Sequence, residues 1–144
     1  MKTANRILAA VALVAATAAV AQSAVENPAV KARVAAMKTI AMNTKALGDM
    51  AKGAVAFDAA AAGSAAAAIA EQAALVPGLF EAQEDDPESE AKAEIWANFD
   101  DFTAKANGLE TAAAAATTDS LDGVRASLGQ IGGACAACHK VYRE

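Results

Sequence analysis

A single histidine and two cysteines stand in 144 residues, so few metal or nucleophilic sites can be assembled from this chain. A structural zinc centre takes four ligands, typically Cys or His, and three such residues fall short. Aromatic residues make up only 4%, and no run alternates Val, Ile and Thr as a half-buried strand would. No nucleophile–base pair, carboxylate dyad or phosphate loop is visible, so an enzyme is not expected. Positive charge is also scarce. Twelve basic residues face 17 acidic ones, which excludes the clustered Lys and Arg that bind nucleic acid.

What is present begins with a leader. Met1 to Arg6 is short and basic, Ile7 to Val20 is apolar, and Ala19-Val20-Ala21 supplies a small-residue cleavage pattern. Residues 1–21 therefore read as a secretory signal peptide, with Ala24 as a later cleavage point and an uncleaved anchor as the alternative. Export places the mature protein, residues 22–144, in the periplasm. Loss of Lys2 and Arg6 deepens the net charge from −5 to −7. No later apolar run reads as a membrane span.

The remaining periodicity is helical. Asn27 can cap a helix with Pro28 in its first turn, running to Lys52 before Gly53. Its apolar stripe holds Val30, Arg33, Met37, Ile40, Ala41, Thr44 and Ala51. A second helix runs from about Asp58 to Val76, ended by Pro77-Gly78. It is mostly alanine, which fills little space and leaves room for a bulky group. Leu79 to Glu88 reads as a loop, with Leu79 and Phe80 tucked in and the acidic run from Gln83 to Pro87 exposed. A third helix spans Ser89 to Asn107, stopped by Gly108, with Ile95, Phe99, Phe102 and Ala106 inward and Trp96 beside them. The fourth spans Asp119 or Ser120 to Arg143, with Leu121, Val124, Leu128, Ile131, Cys135, Cys138 and Tyr142 on one seam. Four helices with short connections predict an all-α, antiparallel up-down-up-down bundle.

Both cysteines and the histidine fall together as Cys135-Ala136-Ala137-Cys138-His139. This is the c-type haem attachment pattern. Each thiol can add across a haem vinyl group, and the imidazole can bind iron. On a helix, positions i, i+3 and i+4 share a face, so all three project to one side. A disulfide would leave His139 without a role, and a dithiol redox site would sit beside a βαβ unit that is absent. One covalent haem c per chain, near the C-terminal end of the fourth helix, is the reading.

A haem motif this late, after four helices, resembles the class II c-type cytochromes, the cytochrome c′ family with its low-spin relatives. The resemblance covers nearly all of the mature chain. It is carried by Arg33-x-x-x-Met37, Met50-Ala51-Lys52-Gly53, Leu79-Phe80, Ile95-Trp96 and the stretch from Cys135 to Arg143. It implies a role for Arg33 beside the haem propionates, the alternative being a surface arginine. It also implies that Glu88 and Ser89 lie near the haem edge, although this loop departs from the family's Gly/Pro-rich pattern. Periplasmic redox partners and a homodimer through the first two helices follow from the same resemblance.

With His139 used on one side of the iron, methionine is the remaining donor of the kind found in electron carriers. Met37 lies on the buried stripe, whereas Met42 and Met50 point about 140° away to either side. In an antiparallel bundle Met37 comes near the level of His139. The resemblance makes this position decisive. A ligating Met37 gives a low-spin electron carrier, and a Met37 that only packs over the haem leaves a five-coordinate iron that binds NO or CO.

Overall fold

The computed structural model describes residues 25–144. The proposed signal peptide, 1–21, lies outside them. Five helices follow in order: α1 (Pro28–Ala51), α2 (Ala59–Leu79), α3 (Glu94–Ala97), α4 (Phe99–Ala114) and α5 (Leu121–Tyr142). The four long ones close a ring. α1 packs on α2, α2 on α4, α4 on α5, and α5 returns to α1 across the thinnest seam. Among the described residues the only β pairing is an isolated bridge between Ala91 and Arg143.

Local chemistry sets most helix ends. Asn27 accepts from the amides of Ala29 and Val30 (2.9 and 3.2 Å), and Pro28 follows it. Gly53, with φ of 74°, closes α1 in a conformation that costs a glycine little. Asp58 accepts from Ala61 N, and Ser120 accepts from Gly123 N. Two boundaries differ from expectation. α2 continues through Pro77 to Leu79, because a proline in the last turn removes a single intrahelical bond. The third helix does not start at Ser89 or stop at Gly108. Residues 88–93 are irregular, one turn forms α3, and α4 carries Gly108 in its interior as far as Ala114. Buried Leu109 and Ala113 hold that extension.

Alanine in α2 does a different job from the one expected. Ala62, Ala65, Ala66 and Ala73 are at most 5% exposed, so their small side chains let α1 and α4 approach closely. α2 is also, contrary to expectation, long and apolar enough to cross a membrane, with 21 residues and mean hydropathy 1.3 over an 18-residue window. Its inner face is buried in the bundle.

The core has two parts. The larger runs along the bundle through Ile40, Leu47, Met50, Ile69, Leu109, Val124 and Ile131. The smaller sits at the end where α5 finishes, through Val76, Phe80, Ile95, Phe102 and Tyr142. Met50 is buried in the larger part, not turned away from it. The face of α1 that meets α2 is broader than one stripe.

Candidate functional site

Cys135 and Cys138 are free thiols, half-buried on the inner side of α5. Cys135 packs against the larger core and Cys138 against the smaller. Burial pushes both thiols above their ordinary pKa, so they stay protonated at neutral pH. His139 is exposed in the last turn of α5. Desolvation, then the charge of Arg143, holds its imidazole below its usual range, against an opposing pull from Glu90. The neutral ring is the form that can offer a lone pair to a metal.

Met37 is partly buried and packs against both core parts, at their junction. Its level follows from one hydrogen bond: Arg125 Nε donates to Ala51 O at 3.1 Å, pinning the start of α5 to the end of α1. From that point, Met37 lies 14 residues back along α1 and His139 lies 14 residues on along antiparallel α5. Both are therefore about 21 Å from the pin, at one height across the α1–α5 seam. Met42 is 64% exposed and Met50 belongs to the core, so neither competes.

Open space and an unsatisfied hydroxyl stand on α5 and α1 near the motif and Met37. One turn before Cys135, a Cβ built on Gly132 would meet nothing within 4 Å. Two turns beyond Met37, Thr44 Oγ1 is buried with no hydrogen-bond partner among the described residues. No cluster of three His, Cys, Asp or Glu suited to a metal ion occurs among the described residues.

Arg33 is buried at the end of the bundle where α2 finishes. It is 3% exposed and donates to three backbone carbonyls, Nε to Leu79 (2.9 Å), Nη1 to Glu84 (2.7 Å) and Nη2 to Ala82 (2.6 Å). Its guanidinium lies 4.5 Å from the Phe80 ring centroid and 5.5 Å from that of Trp96. Arg33 is buried, not at the surface, and clamps the 79–84 strap onto α1. Glu88 is exposed and Ser89 half-buried in that strap, and both bond to Asp86 through their amides. The residue that periodicity missed is Asp86, 8% exposed, whose carboxylate accepts from the amides of Glu26, Asn27 and Glu88. It was hidden inside an acidic run that otherwise is exposed; an aspartate directly before Pro87 was the available signal. Tyr142 lies on the seam as expected, and its hydroxyl has a partner that periodicity does not give. Its hydroxyl donates to Asp101 Oδ2 at 2.6 Å, which raises its pKa to about 12.

The family model for cytochrome c′ matches residues 28–143. The chain belongs to the cytochrome c′ family. Cytochrome c-556 of Agrobacterium tumefaciens (strain apple 185) is 43% identical over 79 residues, which is 52% of this chain and 62% of that protein, less than two thirds of its length. A cytochrome c′ structure from Rhodopseudomonas palustris superposes with TM-score 0.76 at 30% identity, over 83% of this chain and 98% of that one. A nitric oxide complex of a mutant cytochrome c′ from Alcaligenes xylosoxidans aligns with TM-score 0.72 at 28% identity, over 81% and 93%. As a member of this family the chain carries covalently attached haem c, for which it has a single attachment motif.

Proposed function

We propose that this cytochrome c′ family member is a periplasmic one-electron carrier whose haem is held by Cys135 and Cys138, with His139 and Met37 as axial ligands. The observation that carries it is the common level of Met37 and His139 across the α1–α5 seam. The haem supplies a one-electron couple at iron. His139 offers its neutral imidazole from α5, and Met37 offers a thioether from α1, a pairing that raises a haem's potential relative to two histidines. Both side chains stand on helices pinned at each end. Arg125 joins α1 to α5 at one end, and the strap joins them at the other through Asp86 and through the pairing of Glu90 with Arg143. Such a frame resists the rearrangement that slows electron exchange.

The second reading keeps the same haem and makes Met37 a steric gate beside a five-coordinate iron. The packing of Met37 against both core parts favours it, since a side chain held by packing need not bind metal. The nitric oxide complex among the structural relatives is its precedent. Substituting Met37→Ala separates the two. In the carrier, the variant changes from a low-spin to a high-spin ferric spectrum and gains CO binding when reduced. An unchanged spectrum removes Met37 from the ligand set.

A further inference from the structure

The exposed side of α1 carries a regularity that haem binding does not use. Lys31, Lys38, Lys45 and Lys52 recur every seven residues, and all four are exposed. Each directly follows a residue of the line Val30, Met37, Thr44 and Ala51, so the lysines run beside the Met37 line and drift slowly around the helix. They stand about 10 Å apart and span about 30 Å. α1 contains one acidic residue, Asp49, which pairs with Lys45. Lys31, Lys38 and Lys52 form no ion pair among the described residues. The acidic residues are densest in the strap at Glu81, Glu84, Asp85, Asp86, Glu88 and Glu90, which meets the N-terminal end of α1 beside Lys31 and leaves Lys38 to Lys52 clear of it.

In the middle of the line sits Met42, 64% exposed, one turn from Lys38 and one turn from Lys45. Exposed alanines at 35 and 41 lie around it. An adaptable apolar side chain within a charged rim is the layout of a protein docking surface.

We propose that this face of α1 is the docking surface for an acidic protein partner, one that presents carboxylates at about 10 Å intervals around a small apolar spot. On a chain of net negative charge, a lone cationic line orients an acidic partner and repels it elsewhere. The lysines stand about 100° around α1 from the Met37 line and Met42 about 140°, so the partner docks on the outer flank of α1. A second copy fits poorly, because a two-fold contact would set lysines against lysines. The inference holds whether Met37 binds iron or only gates it.

The test uses amide NMR of the haem-loaded protein at low salt, with poly-L-glutamate as the acidic probe. Saturating shifts should cluster on residues 31–45 and fade as salt is added. A Lys38→Glu/Lys45→Glu variant should lose them with an unchanged absorption spectrum, and Met42→Ala should weaken binding several-fold. Shifts centred on Lys140 and Arg143, or insensitive to the double variant, overturn the proposal. So does equal, lysine-dependent co-sedimentation with phosphatidylglycerol vesicles, which assigns the face to a membrane. Dissociation of a dimer by Met42→Ala in analytical ultracentrifugation assigns it to a second copy and overturns the proposal as well.

Discussion

Arg33 and Asp86 show how much of this fold rests on single polar side chains. Arg33 spends three donors on carbonyls of residues 79–84, of which Ala82 O also accepts from Glu84 N. Arg33→Ala removes all three of these bonds and opens space beside Phe80 and Trp96. The expected loss is about 3 kcal/mol, since hydrogen bonds to charged groups contribute roughly 1.5–3 kcal/mol each and water recovers part of the loss. Urea unfolding measures it. Asp86 gives an acid-side dependence. The amides of Asn27, Glu88 and Glu26 depress its folded pKa, so its contribution is complete above the unfolded value, about 3.9, and is lost as pH falls through the folded value. Asp86→Asn should flatten the acid limb of the stability curve. Tyr142 gives the alkaline counterpart. Its pKa is raised to about 12 by the bond to Asp101, so its contribution is complete below the unfolded value near 10 and is lost as pH rises through 12. Tyr142→Phe should remove that alkaline fall, as followed by circular dichroism against pH.

The helices divide into those whose ends are written locally and those held from a distance. α1 and α5 match the sequence expectation within about two residues, because Asn27, Gly53 and Ser120 act on their own neighbours. The segment from 80 to 98 was not legible in that way. Its shape depends on Arg33, Asp86 and a bond from Trp96 Nε1 to Phe80 O, contacts between residues up to 60 positions apart. Gly108 misled for the opposite reason: an exposed glycine resembles a helix stop, yet the buried residues after it continue the helix. A Cβ there meets nothing within 4 Å, so Gly108→Ala should stabilise the protein by about 0.5–1 kcal/mol. At Gly123 a Cβ would lie 2.7 Å from Thr117 Cγ2 and 2.8 Å from its carbonyl oxygen. Gly123→Ala should therefore destabilise, by about 1–3 kcal/mol, as overpacking does. Thermal unfolding of the pair gives shifts of opposite sign.

For the molecule as a whole, the haem motif was legible because it uses every cysteine and histidine in the chain at once. The roles around it were less so. Helical periodicity placed Met37 near the right side of α1, but the bond from Arg125 to Ala51 sets its height against His139. Arg33 lay on the same stripe, but its carbonyl partners at 79, 82 and 84 lie in a stretch with no periodicity to announce them. The central claim is the pairing of Met37 with His139, and the absorption spectrum of the unaltered haem-loaded protein tests it most directly. A low-spin ferric spectrum with a weak sulfur-to-iron charge-transfer band, and no CO binding on reduction, is the predicted result. A high-spin ferric spectrum with ready CO binding by the reduced protein would contradict it.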